Sequence, residues 1–506
     1  MRNRSLILAA GGLACALAAG PSAAQKAEDT MRIAFDRELE SLDNYINTAR
    51  EGIIVSRLVW DGLLYRNPET NEYEGNLATD WEWIDSTTME FTLREGVTFH
   101  NGEPFDADDV VFTLNYVADP ENPVTTQRNV NWIAGAEKLG PYKVRMTLKA
   151  PFPAALEYLS GPVVMYPNEY YAEVGPEGMG TEPVGTGPYR VTEVVPGQRF
   201  VFEKNENYYE GSPKGQPEIG NLVIRTIQDP NTRLAELLSG GLDWIWRVPV
   251  DQAERMQGRD EFNVVNESTM RIGYMYFDAA GRTGETPLQD VRVRKAISHA
   301  IDRQAIVDAL VKGASQVVHS ACFPSQFGCE QDVTQYEYDP EKAKALLAEA
   351  GYPDGFEIQF SAYRERPFAE AIISYLNAVG IETDFGFYKY AALRDKIHNS
   401  EEPMAFMTWG SYSVNDASAI TSHFFKHLAD DYAMDDDVKV WLDIADTSVD
   451  SEIRQQNYSK ALKKIAEEAY WLPLWSYNVW YAFSSDMEFT PTADEIPRFF
   501  NARWVE

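Results

Sequence analysis

Residues 91–114, FTLREGVTFHNGEPFDADDVVFTL, change from a strand pattern to a helix pattern across a single turn. Phe91 and Leu93 continue an alternation of apolar and polar residues that is typical of a half-buried strand. An Asn-Gly turn follows, and Asp106 is predicted to be the N-cap of the next helix. The segment holds no metal-ligand spacing and no phosphate-binding loop. It therefore predicts a mixed α/β fold and offers no motif for catalysis.

Strand and helix patterns alternate along the rest of the chain, which predicts α/β lobes. One helix is predicted over DVRVRKAISHAIDRQAIVDAL, after a capping Asp290. Another follows Asp339, with Pro340 at its first position and Gly351 just past its end. About 480 residues exceed what one hydrophobic core serves, so at least two lobes are expected.

The first 24 residues predict a secretory signal peptide, with a basic start, an apolar centre and small residues before Gln25. Lipidation at Cys15 is the alternative. Removal of the signal leaves Cys322 and Cys329, and two thiols this close in an exported protein predict one disulfide. The sequence thus predicts a periplasmic protein.

Charge and motifs exclude several functions. The formal net charge of −33 argues against nucleic acid as a partner. No HExxH, GxSxG or CxxC motif is present, and no catalytic residue, cofactor or metal ligand is predicted. His423 and His427 share a helix face but lack an evident third ligand. A periplasmic hydrolase and a peptide-holding chaperone are the alternatives outside solute transport.

Four segments resemble, in the expected order, those of the family 5 extracytoplasmic solute-binding proteins, the receptors of peptide, opine and nickel ABC importers. These segments are PFDADDVVFTL, GTGPY, DVRVRKAISHAID and YDPEKAKALLAEAGY. The resemblance implies a two-lobed periplasmic-binding-protein fold of the class II type, α/β throughout. It also implies an extra subdomain in lobe one and a two-strand hinge.

By the same resemblance, lobe one comprises residues 25–270, with the extra subdomain at about 61–180. Lobe two comprises residues 271–477, and residues 478–506 return to complete lobe one. The implied function is capture of a peptide or peptide-like solute by hinge closure and its delivery to a membrane ABC permease, by a monomer. An oligosaccharide or chelated nickel is the alternative ligand.

Two arginines are candidates for a clamp on a ligand carboxylate. In similar proteins an arginine in the connection SAYRERPFAEAI can meet that group, which implies Arg364 or Arg366, with Tyr363 beside them. The alternative is a solvated loop in which these arginines pair with Glu365 or Glu370.

A second candidate segment is MTWGSYSVNDASAI, whose Trp409, Gly410, Ser411 and Tyr412 offer an aromatic surface and backbone groups. In similar peptide-binding proteins an aspartate follows here and pairs with the ligand amine. Ser411 stands in its place, so either Asp416 takes the role or the ligand lacks a free α-amine there. Ordinary packing is the alternative for the two aromatic residues.

Two weaker candidates complete the set. Thr48 lies near the exit of the first strand, where similar proteins line the cleft with small polar groups. Trp246 and Arg247 end a strand in which Trp244 and Trp246 share a face, and that face looks either into the cleft or into the core.

Overall fold

The computed structural model describes residues 26, 28–39, 41–47 and 49–505, so the predicted signal peptide, Cys15 and Thr48 lie outside the described residues. The strands are β1 (Thr30–Phe35), β2 (Leu64–Arg66), β3 (Tyr73–Gly75), β4 (Ala78–Asp85), β5 (Thr88–Leu93), β6 (Ile133–Gly140), β7 (Lys143–Leu148), β8 (Tyr189–Val195), β9 (Arg199–Lys204), β10 (Asn221–Thr226), β11 (Trp244–Trp246), β12 (Phe262–Phe277), β13 (Phe356–Ala362), β14 (Ile381–Phe387), β15 (Met404–Trp409), β16 (Trp471–Ser484), β17 (Met487–Glu488) and β18 (Arg503–Trp504).

The α-helices are α1 (Arg50–Val59), α2 (Ala107–Ala118), α3 (Ala155–Leu159), α4 (Asn168–Thr181), α5 (Pro230–Leu238), α6 (Val250–Met256), α7 (Val291–Ala300), α8 (Arg303–Ile306), α9 (Pro340–Glu349), α10 (Arg366–Ala378), α11 (Tyr390–His398), α12 (Ser418–Phe424), α13 (Asp436–Thr447) and α14 (Ser451–Glu467). Across the described residues, none of the helices is both long enough and apolar enough to cross a membrane.

Two of the helices begin at aspartate caps that the sequence predicts. The Asp106 carboxylate accepts a hydrogen bond from the Asp108 amide at 2.7 Å, and Asp109 completes a capping box at α2. Asp339 accepts from the Lys342 amide at 2.9 Å, at the start of α9. The cap satisfies amides that have no partner inside the helix, so the helix start is fixed locally.

The prediction of one continuous helix after Asp290 is wrong, because the structure has two helices there. α7 begins after Asp290 but ends at Ala300. Asp302 then caps the separate helix α8, accepting from the Ala305 amide at 2.9 Å. A second aspartate cap within the apolar pattern therefore divides the segment, because its side chain offers the backbone an alternative to a continuous helix.

One ten-stranded sheet runs through the molecule in the order β14-β13-β15-β12-β16-β11-β1-β10-β9-β8. β12 and β16 lie at its centre and pair in antiparallel register from Phe262 opposite Ser484 to Tyr276 opposite Trp471. The ladder shifts register between Ser268 and Ile272. These two strands carry the chain from one half of the sheet to the other and back.

The buried core changes membership along these same two strands. One cluster contains core residues from Met31 to Trp246 and again from Val479 to Ala502. Two other clusters draw on residues between Met270 and Tyr477. The molecule therefore has two α/β lobes with separate cores, as the fold class predicted from the sequence requires.

The first lobe carries a second, smaller sheet. Strands β4, β5, β7 and β6 form a four-stranded antiparallel sheet, and helix α2 packs against β6 and β7. Phe91 of β5 and Val144 of β7 are fully buried and belong to the core cluster of the first lobe. This sheet shares the core of the lobe that carries it.

Cys322 and Cys329 form a disulfide in the second lobe, with Sγ atoms 1.97 Å apart and Cα atoms 5.8 Å apart. Within the loop that the bond closes, Gln326 donates a side-chain hydrogen bond to the Val414 carbonyl at 2.8 Å. The Phe327 amide donates to the Asn415 carbonyl at 3.1 Å. The disulfide loop thus supports the segment that reaches the cavity described next.

Candidate ligand-binding site

A cavity of about 500 Å³ lies between the two lobes, within the range of 300–1,000 Å³ that small-molecule sites occupy. The first lobe contributes the inward face of α1, residues 124–129 and 157–162, and residues 495–500. The second lobe contributes Arg271, Arg364, Tyr412, Ser413 and Val414. A solute in this cavity would contact both lobes.

The cavity wall is strongly basic. Nine lining residues are arginines: Arg37, Arg50, Arg57, Arg66, Arg128, Arg247, Arg271, Arg364 and Arg498. Among the described residues that line it, three carry a carboxylate: Asp36, Glu157 and Glu495. The sign of the charge inside is therefore opposite to that of the whole chain, whose formal net charge is −33.

Each of the three lining carboxylates forms an ion pair with an arginine. The pairs are Asp36 Oδ1 with Arg247 Nη1 at 3.0 Å, Glu157 Oε1 with Arg66 Nε at 3.1 Å, and Glu495 Oε2 with Arg50 Nη2 at 2.9 Å. Burial opposes ionisation of Asp36, but the charge and hydrogen bond of Arg247 outweigh it and lower its pKa. The carboxylates of the wall are thus already paired with neighbouring arginines.

Asp494 lies directly behind the wall and holds Arg498 in place. The Asp494 Oδ2 atom is 2.8 Å from Arg498 Nη2 and 3.4 Å from Arg66 Nη2. Burial would raise the pKa of Asp494, but these guanidinium groups outweigh it and hold that pKa well below its usual range. This aspartate stays ionised and fixes the orientation of two cavity arginines.

The loop after β15 has an unusual backbone. Ser411, Tyr412 and Ser413 have φ angles of 47°, 52° and 64°, so three consecutive non-glycine residues are left-handed. Each such residue costs about 1–3 kcal/mol and persists only where its surroundings impose it. Here the surroundings include the opposite lobe.

Hydrogen bonds from this loop cross the cavity to the first lobe. Ser413 Oγ donates to the Asp494 carbonyl at 2.7 Å and accepts from Arg50 Nη1. The Asn415 amide donates to Glu157 Oε2 at 2.7 Å. The two lobes are therefore in direct contact along one side of the cavity.

Tyr412 adds an aromatic contact between the lobes. The Arg128 guanidinium carbon lies 3.4 Å from the centroid of the Tyr412 ring, a cation–π arrangement. Tyr412 retains 40% of its exposure. Its ring is thus accessible at the cavity, beside a guanidinium whose edge nitrogens stay free to donate.

Three of the predicted site residues line this cavity: Arg247, Arg364 and Tyr412. Arg364 forms an ion pair with Glu365, and its guanidinium carbon lies 5.0 Å from the Tyr477 ring centroid. Burial would lower the pKa of Arg364, but the hydrogen bond that it donates to the Glu365 carboxylate outweighs burial and raises the pKa above its usual range. Arg364 is therefore a fixed cation at the cavity wall.

Trp246 lies in the core instead of the cavity. Its side chain is fully buried, in the same cluster as Trp244 and Phe35. Ile245 points the other way, into a separate cluster. The predicted alternation of faces is correct, and the face of the two tryptophans is the inward one. Trp246 reaches the site only through Arg247, whose guanidinium carbon lies 3.9 Å from its ring centroid.

Trp409 also packs inside its lobe. It is 8% exposed, its indole nitrogen donates to the Ala419 carbonyl at 2.8 Å, and its ring stacks on His423. Ser411 is 1% exposed. Gly410 does not line the cavity, but a Cβ atom there would lie 2.9 Å from Arg271 Nη2. Gly410 therefore leaves room for a lining arginine.

Asp416 is a structural residue, which corrects its predicted role as partner of a ligand amine. It is 3% exposed and accepts two hydrogen bonds from Arg454 Nη2, at 2.7 and 3.0 Å. Ser418 Oγ donates to it at 2.6 Å. A buried carboxylate with these partners has no lone pair directed at the cavity.

Arg366 and Tyr363 lie outside the cavity, which removes them from the proposed site. Arg366 is exposed and pairs with Glu370 at 2.8 Å, the alternative that the sequence left open. The Tyr363 hydroxyl lies 2.7 Å from Thr408 Oγ1. Of the two candidate clamp arginines, only Arg364 is therefore positioned to contact a ligand in this cavity.

Histidines form no metal centre in the described part of the chain, where no group of three or more His, Cys, Asp or Glu side chains is placed to hold an ion. His423 Nε2 lies 3.0 Å from Asp430 Oδ2, and His427 Nε2 lies 3.7 Å from Asp436 Oδ1. The two histidines therefore face different carboxylates, and Asp430 is also 3.2 Å from His398 and Arg394.

Sequence reasoning missed most of the cavity arginines, including Arg50, Arg57, Arg128 and Arg271. They come from three separate segments, and their convergence is a tertiary property without a local motif. One signal was available for Arg271: it is a charged residue within MRIGYMYF, an otherwise apolar strand that was predicted to join the lobes. A charge at that place indicates a face that is open to the cleft.

Two α/β lobes that enclose a solute-sized cavity and are joined by two paired strands define a two-lobed ligand-binding protein. A family model described as bacterial extracellular solute-binding proteins, family 5 Middle, matches residues 72–431. The chain belongs to this family of bacterial extracellular solute-binding proteins.

Relatives of known name resemble the chain over most of its length. Heme-binding protein A of Haemophilus influenzae is 29% identical over 385 residues, which cover 70% of this chain and 69% of the relative. Glutathione-binding protein GsiB of Salmonella paratyphi A is 27% identical over 491 residues, 92% of each chain. The solved structure of HbpA2 from Haemophilus parasuis superposes with a TM-score of 0.85 at 24% identity, covering 94% of this chain and 100% of that one.

Proposed function

We propose that this protein is the periplasmic substrate-binding component of an ABC importer, which captures a peptide or peptide-like solute by hinge closure and delivers it to the permease. The observation that carries the proposal is the cavity whose wall both lobes supply. A ligand shifts a protein towards a closed state only if it has more contacts there, and a wall built from two lobes meets this condition.

The lobe limits are part of the proposal. Lobe one comprises residues 25–270 with an extra subdomain at about 61–180, lobe two residues 271–477, and residues 478–506 return to lobe one. The support is the change in core membership between Trp246 and Met270, and again between Tyr477 and Val479. β12 and β16, with the register shift between them, would form the hinge.

The names of relatives support the ligand class. The relatives include a glutathione-binding protein and, in Escherichia coli, a dipeptide-binding protein that is 28% identical over 372 residues. Glutathione and dipeptides are both short amide-linked acids that carry at least one free carboxylate. A guanidinium binds such a group through two parallel hydrogen bonds, and the cavity wall supplies several.

Arg364 and Tyr412 are the residues of the second lobe that we assign to the ligand. Arg364 would hold an anionic group, with its side chain kept in place by Glu365 and the Tyr477 ring. Tyr412 would supply an apolar surface, and Arg247 a guanidinium from the first lobe. The protein would act without catalysis and as a monomer, after export directed by residues 1–24.

Calorimetry against a panel of dipeptides and glutathione tests the proposal, with small-angle scattering recorded on the same samples. A binding solute is expected to reduce the radius of gyration. Arg364→Ala should weaken binding by about 2–5 kcal/mol, because it removes the partner of a ligand anion that the closed cavity would bury. Arg366→Ala is the matched control, since Arg366 is exposed and pairs with Glu370. Turnover of a bound solute, or the absence of binding heat and of any change in scattering across a broad solute library that includes this panel, would contradict the proposal.

A further inference from the structure

The arginines of the cavity fall into two groups, those with a carboxylate partner and those without. Arg50, Arg66 and Arg247 pair with the three lining carboxylates, and Arg364 and Arg498 pair with Glu365 and Asp494 behind the wall. Arg37, Arg57, Arg128 and Arg271 line the same cavity, and among the described residues none of them has a carboxylate oxygen within ion-pair distance. Each carboxylate of the wall is thus already paired with an arginine, and four lining arginines are left without an ion pair among the described residues.

Arg57 is the most informative of these four cations. It donates one hydrogen bond, from Nη1 to the Ser160 carbonyl at 2.5 Å. Burial, with the nearby charges of Arg498 and Arg66, outweighs the opposing charge of Asp494 and lowers its pKa to about 10. Arg57 is partly buried and forms no ion pair with a carboxylate of the described residues, and partial loss of water around an unpaired guanidinium is costly. A bound anion would supply the missing partner.

Arg271 supplies an unpaired cation from the second lobe. Its Nη1 atom donates to Thr408 Oγ1 at 3.2 Å, and its guanidinium lies in the space that Gly410 leaves open. Arg128 approaches from the first lobe and stacks on Tyr412, so its in-plane N–H groups remain free. Unpaired guanidinium groups therefore converge on the cavity from both lobes.

The wall offers no matching site for a cation of the ligand. Asp36, Glu157 and Glu495 each hold an arginine, and Asp416 is buried against Arg454. A zwitterionic peptide would thus bring its ammonium group into a cavity where, over the described residues, every carboxylate of the wall is taken. The like charge of the arginines would repel that group.

We infer that the natural ligand is a polyanion, a small peptide-like solute with at least three oxyanion groups and no exposed ammonium group. This inference rests on the proposed receptor function and specifies its ligand class. The oxyanions are carboxylates or phosphates, since a guanidinium recognises both through the same paired hydrogen bonds.

Four tripeptide probes of equal length test the inference by calorimetry. They are N-acetyl-triglutamate, N-acetyl-triglutamine, unblocked triglutamate and N-acetyl-triphosphoserine. We expect N-acetyl-triglutamate or N-acetyl-triphosphoserine to bind about 100-fold more tightly than N-acetyl-triglutamine, since a hydrogen bond to a charged group contributes about 10- to 100-fold. The tighter of the two identifies the oxyanion, and removal of the acetyl group should weaken binding.

Two substitutions locate the effect. Arg57→Gln and Arg271→Gln should each weaken binding of the anionic probe about 10-fold or more and leave the N-acetyl-triglutamine affinity unchanged. Arg366→Gln, outside the cavity, should change neither affinity. The ligand-free Arg57→Gln variant should melt at or above the wild-type temperature, because a partly buried guanidinium without an ion-pair partner in the described part of the chain has been removed. A variant that merely misfolds would fail this last measurement.

Equal affinities for the glutamate and glutamine probes would overturn the polyanion inference and leave the receptor function standing. Failure of both anionic probes to bind would also overturn it. The receptor function itself falls only if a broad solute library, dipeptides included, produces neither binding heat nor a change in scattering. The two failures are therefore distinguishable.

Discussion

Asp416 allows a sharp test between a role in folding and a role at the cavity. The carboxylate is buried and accepts hydrogen bonds from Arg454 at 2.7 and 3.0 Å. Breaking a buried ion pair by removing one partner costs about 3–5 kcal/mol, because the other charge stays buried without compensation. For a unit of about 200 residues, 1 kcal/mol shifts the midpoint by about 2–4 °C. Asp416→Ala should therefore lower the melting temperature of the second lobe by about 6–20 °C.

Differential scanning calorimetry of the ligand-free protein measures this shift, and the affinity of a bound solute is determined below the new midpoint. Asp443→Asn is the control: Asp443 pairs with Lys426 and Lys439 but is 42% exposed, so its loss should cost less than about 1 kcal/mol. The reasoning fails if Asp416→Ala melts like Asp443→Asn. It fails equally if that variant keeps its melting temperature and loses its solute.

Three shorter predictions follow from the backbone, the disulfide and one buried acid. Ser411→Gly should stabilise the protein by about 1 kcal/mol in urea unfolding, because it relieves a φ of 47° and removes a buried hydroxyl without a partner. Ser413→Gly is the control and should not stabilise the protein, because it loses the hydrogen bond to the opposite lobe. Replacing Cys322 and Cys329 by serine should cost about 2–3 kcal/mol, the loop-closure entropy of a short loop, measurable as a lower urea midpoint than that of the oxidised protein. Because the folded pKa of Asp494 lies below its ordinary value of 3.8, its ionised form stabilises the fold above that pH, so the urea-midpoint gap between wild type and Asp494→Asn should narrow as pH falls below about 4.

Local signals in the sequence were sufficient for many elements of the fold. The caps Asp106 and Asp339 begin helices where predicted, because a side chain bonded to nearby amides is a local interaction. The break at Asp302 was missed, although the same chemistry causes it. There the apolar stripe continues past the cap, so the periodicity alone predicts one uninterrupted helix.

The cavity was far less predictable than the fold. Arg57 lies on a helix and Arg128 in a connecting segment, and only the tertiary fold brings them to one cavity. Asp416 was assigned to the site by its position in a motif, whereas its partner Arg454 is a long-range contact that the motif does not contain. Spacing in the sequence shows where side chains lie along the chain. Ion pairing depends on distances in the folded structure, which the spacing does not give.

The basic cavity within an acidic molecule has a kinetic consequence. The chain carries 78 acidic and 45 basic residues, so an approaching anion is repelled before it reaches the arginines. Salt screens that outer field over about 10 Å at 0.1 M, while partly buried pairs feel the salt much less. The association rate for an anionic guest should therefore increase with ionic strength, opposite to the usual behaviour of oppositely charged partners.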